Sequence, residues 1–338
     1  MIHHHLTYLE AAVVGMFQGV TELFPVSSLG HSVLIPALVG GSWARDLNVA
    51  APESPYLAFI VGMHVATAIA LLIYFWKDWV RIIGGFVSSI RNGEIETTDQ
   101  KMAWMIITAS IPVGIVGLLF EHTFRVFFGV PIRAAIFLIV NGLILFAGEK
   151  FRTRASRQAD ADIEAELAAE PAERAVALAA SRGPAHASRT PGHQADRQLE
   201  YSRAIGSDHR LARMGFVRTT LIGSCQILAL LAGISRDGVT LVGGMFAGLS
   251  REDAARFAFL LATPIILAAG ALKIPDLFGP LGKGIHGQVL VGSVLAGIGA
   301  YLSVRFLVRY FQSRTLTPFA IYCLLTGAGS LIFLTVFR

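Results

Sequence analysis

Long apolar tracts alternate with short polar ones along the 338 residues of the chain. Six of these tracts are each about as long as a helix must be to cross a hydrocarbon core of ~30 Å. They lack the polar face that helices at the surface of soluble proteins carry. The pattern therefore predicts an all-α polytopic membrane protein, with spans at 56–76, 103–120, 134–148, 257–272, 289–308 and 318–337.

Two further segments, 8–41 and 217–250, are apolar but are interrupted at mid-length by glycine, proline and polar residues. Non-helical backbone at membrane depth is tolerated only where protein or a water-filled cavity satisfies its polar groups. We therefore predict that both segments are re-entrant helical hairpins whose tips carry the polar residues.

The same order, one hairpin followed by three spans, occurs twice. Shifting residues 15–42 by 208 positions aligns Ser27 with Ser235 and Gly30 with Gly238. Three spans is an odd number, so the second unit must be inserted in the opposite sense, and inverted repeats place a polar site near their pseudo-two-fold axis. The predicted organisation is a first repeat, a hydrophilic cytoplasmic loop and a second repeat, at 1–149, 150–216 and 217–338.

Charge supports this organisation. Charged residues make up 15% of the chain and the mean hydropathy is +0.60, whereas soluble domains carry about 25% charged residues. Lysine and arginine concentrate at 77–101, 150–218 and 309–314, which the positive-inside tendency places in the cytoplasm. The segments 121–133 and 274–288 are then external. This distribution reflects membrane topology, so we expect the bilayer as a partner and no nucleic acid.

Some features carry little chemistry. Cys225 and Cys323 both lie in apolar sequence, which argues against a disulfide framework or a zinc site. His3–His5 has metal-ligand side chains, but at this position we expect a solvated tail. The 150–216 loop is rich in Ala, Arg, Glu and Gln, which predicts a partly helical or disordered segment.

The tip of the first hairpin runs from Gln18 through Glu22 to His31. An ionisable side chain within a membrane segment is costly, so Glu22 is a functional candidate. Gln18 and Glu22 are four residues apart and share one helical face. Glu22 could hold Mg²⁺, and His31 could be a base or a nucleophile. Ser27 and Ser28 could bind an anion, or Ser27 could simply cap the next helix.

The tip of the second hairpin carries Arg236 between apolar flanks. A guanidinium group is suited to forked binding of phosphate oxygens. Gly233 and Gly238 permit a close approach of the backbone. A structural ion pair of Arg236 with Asp237 or Glu22 is the alternative interpretation. Together, the side chains of the two tips suit phosphoryl transfer, which needs charge neutralisation, positioning and a nucleophile or base.

At these residues the chain resembles a known family. Gln18–His31 is similar to the (E/Q)xxxE and PxSSxxH pattern of the undecaprenyl-diphosphatase family, also known for bacitracin resistance, and Ala232–Thr240 is similar to its PGxSRSxxT motif. The resemblance implies hydrolysis of undecaprenyl diphosphate to the monophosphate, which recycles the carrier for cell-wall synthesis. It further implies a site at the outer face of the bacterial inner membrane, assisted by Mg²⁺ or Ca²⁺.

The resemblance also implies roles for individual residues. Glu22 is the essential carboxylate and Arg236 the diphosphate clamp, while Ser28 and His31 compete as nucleophile and base. Gln18 joins Glu22 at the metal, and the secondary substrate ligands are Ser27, Ser235 and Thr240.

Three positions depart from the family pattern. Gln18 replaces a frequent Glu, which lowers the charge available for a metal, and Ala232 stands where Pro is usual, which loosens the turn. Asp237 replaces a Ser beside the clamp, where a carboxylate would weaken phosphate binding or add a metal ligand.

A second class of function competes with the enzyme. Inverted repeats with broken helices are also transporter architecture, so a transporter or flippase of a phosphorylated polyprenyl lipid is the alternative. The expected partners are a polyprenyl diphosphate lipid and the bilayer, with a homodimer as the oligomeric option.

Overall fold

The structure is a computed structural model that describes residues 6–47, 55–163, 165, 191–279 and 282–337. His3–His5 and most of the central part of the 150–216 loop lie outside these residues. Within them the chain forms helices and no strands. The helices are α1 (Tyr8–Thr21), α2 (Ser28–Val39), α3 (Gly41–Asp46), α4 (Pro55–Tyr74), α5 (Trp76–Asn92), α6 (Thr98–Phe128), α7 (Pro131–Phe151), α8 (154–163), α9 (Pro191–Ala212), α10 (Phe216–Ser224), α11 (Arg236–Phe246), α12 (Arg251–Phe278), α13 (His286–Ser313) and α14 (Thr317–Val336).

Among the described residues, five helices are long and apolar enough to cross a membrane, namely α6, α7, α12, α13 and α14. A sixth candidate is the pair Phe59–Tyr74 and Trp76–Asn92, which is bent by 86°. The six predicted spans overlap α4, α6, α7, α12, α13 and α14. The prediction of an all-helical, multi-pass membrane protein is therefore confirmed.

The charged segment 77–101 contains a helix that the hydropathy pattern did not reveal. It is α5, which leaves the end of α4 nearly at a right angle. Its exposed side carries Val80, Ile83 and Val87, while Arg81 and Asp78 lie toward the protein. This amphipathic arrangement is typical of a helix that lies in the membrane interface.

The two interrupted segments form pairs of short helices. In the first, 14-residue α1 and 12-residue α2 are separated by 22–27. In the second, α10 continues as a 3₁₀-helix over Cys225–Leu230, and 231–235 separate it from 11-residue α11. Each of these α-helices is shorter than the ~20 residues that a spanning helix needs.

Both breaks lie at unusual backbone conformations and are capped alike. Ser27 has φ 67° and Gly233 has φ 115°, in the left-handed region that favours glycine. The Ser27 hydroxyl accepts from Gly30 N at 3.2 Å, and the Ser235 hydroxyl accepts from Gly238 N at 3.2 Å. These are N-cap bonds, which satisfy backbone donors at the start of α2 and α11.

Asn141 of α7 joins the two breaks. Its Nδ2 donates to the carbonyl of Pro25 at 2.9 Å, and its Oδ1 accepts from Ser235 N at 3.0 Å. Gly233 N adds a direct bond to the Ser27 hydroxyl at 3.2 Å. Residues more than 200 positions apart are thereby held in hydrogen-bond contact.

Small residues allow the helices of the two halves to pack closely. Gly15 and Gly19 of α1 lie against the backbone of α13, and Gly223 of α10 lies against Ala109 of α6. Such contacts are the usual way in which helices approach within a membrane. α7 of the first half also packs along α14 of the second half.

At one end of the bundle, helix α9 is fixed by ion pairs of buried carboxylates. Asp208 is fully buried and accepts hydrogen bonds from Arg81 at 2.6 Å and from Arg256 at 3.0 Å. Arg210 donates to Asp253 at 2.6 Å. The described part of the hydrophilic 150–216 segment therefore includes a helix that packs on the bundle.

Candidate active site

Glu22 lies at the centre of the polar groups, at the end of α1. Gln18, one turn earlier, donates from Nε2 to Glu22 Oε2 at 2.8 Å, in agreement with their predicted shared face. The Ser28 hydroxyl, at the start of α2, donates to the same carboxylate oxygen in a short contact. The break between α1 and α2 thus folds the chain so that a serine hydroxyl meets a buried carboxylate.

Arg236 reaches the same carboxylate from the second half of the chain. It is the first residue of α11, and its Nη2 donates to Glu22 Oε1 at 2.8 Å. The two side chains are 15% and 5% exposed, and a buried charge of this kind requires a partner. The ion pair that the sequence offered as an alternative to a phosphate clamp is therefore present in this structure.

Asp237 is buried next to this pair without hydrogen bonds of its own. It is 3% exposed, and its Oδ1 lies 3.5 Å from Arg236 Nε. Within the described part of the chain, neither of its carboxylate oxygens has a hydrogen-bond partner. It does not line the cavity next to Glu22, whereas Arg236, which it contacts, does.

A cavity of about 340 Å³ opens beside Glu22 and Arg236. One end is polar, and the remaining wall is largely apolar. Its polar lining includes Glu22, Ser27, Ser28, His64, Gln226, Ser235 and Arg236, and its apolar lining includes Leu29, Ile60, Val113, Ala229, Leu230, Ala232, Ile234, Ile265 and Ala269. A charged head with an apolar tail fits such a cavity, since binding sites combine apolar walls with a few converging polar groups.

His31 is not part of the cluster around Glu22. Its Nδ1 donates to the Ser27 carbonyl at 2.7 Å, its Nε2 lies 2.8 Å from the Tyr322 hydroxyl, and its ring stacks on that of Tyr322. Both ring nitrogens are thus engaged away from the Ser28 hydroxyl. Its role as nucleophile or base stays a prediction.

The three predicted secondary ligands are engaged in local bonds. Ser27 and Ser235 line the cavity, but their hydroxyls cap helices as described above. Thr240 donates to the carbonyl of Arg236 at 2.8 Å and fixes the first turn of α11. In this structure these residues hold the backbone that presents Ser28 and Arg236.

His64 of α4 is a site residue that the sequence interpretation missed. Its Nε2 lies 3.4 Å from Glu22 Oε2 and 3.3 Å from Gln18 Nε2, and its Nδ1 donates to the Ile60 carbonyl at 2.9 Å. The available signal was an ionisable side chain within an apolar span, which marks a functional candidate by default. Asn141 carried the same kind of signal as a buried polar residue within a span.

The possible metal ligands near Glu22 fit a cation whose coordination is completed by substrate oxygens. No group of three or more His, Cys, Asp or Glu side chains among the described residues is arranged for a metal ion. Mg²⁺ commonly binds one or two carboxylates together with substrate phosphate oxygens. Glu22, with the Gln18 amide beside it, supplies a partial set of this type.

Comparison with known proteins decides the family. Residues 11–169 and 191–329 match the family described as "Bacitracin resistance protein BacA". The chain belongs to the BacA family. It is 57% identical to the undecaprenyl-diphosphatase of Mycolicibacterium paratuberculosis, over 98% of this chain and 99% of that one.

Other BacA relatives carry the same name. The chain is 54% identical to undecaprenyl-diphosphatase 2 of Frankia alni, over 96% of this chain and 97% of the relative. It is 39% identical to undecaprenyl-diphosphatase 2 of Burkholderia orbicola, over 93% and 92% of the two chains. The family match therefore covers the segments of both halves that carry Glu22 and Arg236.

Proposed function

We infer that this BacA-family protein is an undecaprenyl-diphosphatase, a membrane hydrolase that converts undecaprenyl diphosphate to the monophosphate and inorganic phosphate. The observation that carries the inference is the Ser28–Glu22–Arg236 cluster at the polar end of an apolar cavity. Relatives with this name match nearly the whole chain. The product is the lipid carrier that cell-wall synthesis reuses, and bacitracin resistance follows from the family.

We propose that Ser28 is the nucleophile and Glu22 its base. The Ser28 hydroxyl already donates to Glu22 Oε2, so the carboxylate can take the proton as Oγ attacks the terminal phosphorus. An O–P bond forms at Ser28, and the bond to the bridging oxygen breaks, which releases undecaprenyl phosphate. Water then cleaves the phosphoserine, releases inorganic phosphate and restores the hydroxyl.

Arg236 would exchange partners during substrate binding. Its guanidinium group is held by Glu22 Oε1, and a diphosphate with several negative oxygens competes for the same forked donors. Positioned donors of this kind stabilise the charge of a phosphoryl transition state. The Glu22–Arg236 pair therefore keeps both side chains in place until substrate arrives.

Mg²⁺ or Ca²⁺ would bind at Glu22 with Gln18 as its neighbour. When bound, the cation would neutralise charge on the diphosphate. The replacement of a second carboxylate by Gln18 leaves one formal charge for that cation, so substrate oxygens must supply much of its coordination.

We further propose that the two halves form an inverted repeat in the bacterial inner membrane, with the cavity toward the external face. The argument rests on the basic segments 77–101, 150–218 and 309–314, which the positive-inside tendency assigns to the cytoplasm. Support also comes from Arg251 at the start of α12, which donates to Glu149 at the end of α7 at 2.5 Å. Helices that join in this way at one face run in opposite directions.

The test is phosphate release by the purified protein in detergent, with undecaprenyl diphosphate labelled at its terminal phosphate. We expect release by the wild type, a labelled phosphoserine in an acid-quenched reaction, and a loss of about 100- to 10,000-fold in Ser28→Ala. His31→Gln should retain the labelled serine. Movement of labelled lipid across the bilayer of proteoliposomes, without any phosphate release, would favour the transporter instead.

A further inference from the structure

His64 is the titratable side chain at the cluster that the proposed mechanism does not use. It belongs to α4, whereas Gln18 and Glu22 belong to α1. Its side chain is 29% exposed and lines the cavity beside Glu22. The imidazole is therefore accessible from the cavity and held against the carboxylate that the reaction needs.

The hydrogen bonds define which nitrogen is available. Nδ1 donates to the Ile60 carbonyl at 2.9 Å, so in the neutral imidazole the second nitrogen, Nε2, presents its lone pair to the site. Glu22 Oε2, 3.4 Å away, is also an electron-pair donor. When Nε2 carries no proton, the two atoms approach each other favourably if a positively polarised group lies between them.

The Gln18 amide occupies that position in this structure. Its NH₂ group lies 2.8 Å from Glu22 Oε2 and 3.3 Å from His64 Nε2. Two neighbouring donors on one small dication are roughly 3 Å apart, since each lies ~2.1 Å from the ion. A half-turn of the amide about its last side-chain bond replaces Nε2 by Oε1, which is a third donor.

We propose that His64 Nε2 is a ligand of the same divalent cation that Glu22 Oε2 and the Gln18 amide oxygen bind. This deepens the proposed function and rests on its cation site. The ligand set is then one carboxylate oxygen, one amide oxygen and one imidazole nitrogen, and the diphosphate oxygens complete it. Before the diphosphate binds, Arg236 contacts the other Glu22 oxygen, Oε1, while the Ser28 hydroxyl would share Oε2 with the ion.

The nitrogen ligand predicts the class of metal. Ca²⁺ takes oxygen ligands, whereas imidazole suits first-row transition dications. His64 therefore shifts the preference of the site away from Ca²⁺ and toward first-row transition dications, among which paramagnetic Mn²⁺ serves as the probe. His64→Gln offers an amide oxygen in the same site and should move the preference back toward Ca²⁺.

Pulsed electron paramagnetic resonance of the Mn²⁺-loaded full chain in detergent tests the proposal without turnover. The background should carry His3→Ser, His4→Ser and His5→Ser, because a histidine cluster can itself bind Mn²⁺. We expect a coupling of Mn²⁺ to one imidazole nitrogen that disappears in His64→Gln. In that variant Mn²⁺ should bind about 10- to 100-fold more weakly, with Ca²⁺ competing more effectively.

His286→Gln, at an exposed histidine at the start of α13, is the matched control and should retain the coupling. His64→Gln has a similar size, and an unchanged elution volume on size exclusion shows that it folds. No nitrogen coupling in the background chain, or a coupling that persists in His64→Gln, overturns the proposal. Absence of Mn²⁺ binding would rule out the proposed metal ligands. Phosphate release that continues in the presence of chelator would nevertheless support the hydrolase function.

Discussion

At the residue scale, the Glu22–Arg236 contact links two residues separated by 214 positions into one buried ion pair. Each charge is held by the other and by neutral donors, including Gln18 and Ser28 on the carboxylate. Removal of one partner leaves the other as an uncompensated charge. A substitution that keeps the charge of Arg236 and one that removes it should therefore have different effects on activity and stability.

Arg236→Lys keeps the positive charge but loses the forked donor geometry that matches phosphate. We expect kcat/KM for undecaprenyl diphosphate to fall by about 100- to 1,000-fold, with little loss of stability. Arg236→Ala should lose similar activity and also about 3 kcal/mol of stability, because Glu22 stays buried and unpaired. Phosphate release and thermal unfolding in detergent measure these effects, and near-wild-type turnover in both variants would exclude the clamp.

Asp237→Ser tests the carboxylate next to the clamp. Asp237 competes with the diphosphate for Arg236, so its removal should lower KM. It should also stabilise the protein by about 1–3 kcal/mol, because a buried polar group without hydrogen bonds is lost. Asp162→Ser, at an exposed position on α8, is the control with no expected effect on KM. A higher requirement for added cation in Asp237→Ser would instead identify Asp237 as a metal ligand.

At the element scale, the two interrupted helices depend on a glycine contact. A Cβ at Gly30 would lie 2.8 Å from Gly233 Cα, closer than real side chains approach backbone. Asn141 fixes the same two breaks by hydrogen bonds on both sides. The positions of Ser28 and Arg236 relative to each other therefore follow from how closely α2 and α11 approach.

Gly30→Ala should separate the two breaks and reduce kcat by at least about tenfold, since misplacement by about 1 Å can cost 100-fold in rate. Gly114→Ala in α6 is the matched control, because no heavy atom lies within 4 Å of a Cβ built there. Its kcat and unfolding temperature should stay near those of the wild type. Equal kcat values in the two variants would show that the contact does not position the site.

At the scale of the whole molecule, ionic contacts collect at one end of the bundle. They include Glu149 with Arg251, Arg81 with Asp208, and Arg210 with Asp253. Charge at the end of a bundle follows from the cost of charge in hydrocarbon, and it assigns this end to one side of the membrane.

The proposed topology predicts which exposed positions a membrane-impermeant maleimide reaches in intact cells. In a background of Cys225→Ser and Cys323→Ser, Lys283→Cys should react from outside. Arg157→Cys, an exposed position of α8 in the basic segment, should react only after permeabilisation. The reverse pattern would place the cavity's polar end toward the cytoplasm.

The sequence by itself determined the membrane class, the approximate spans and the shared face of Gln18 and Glu22. These follow from composition and from the period of a helix, which are local properties. The resemblance at both hairpin tips also assigned Ser28 and Arg236 to one diphosphate-hydrolysing site.

Tertiary structure decided the contacts that give those residues partners. His64 rather than His31 lies next to Glu22, and Ser27 adopts a positive φ with its hydroxyl bound to Gly233 N. Neither result could be derived from helical periodicity, because each depends on how α1, α4, α7 and α11 pack. Helical periodicity predicts which residues share a face of one helix, whereas tertiary packing determines which faces of different helices come into contact.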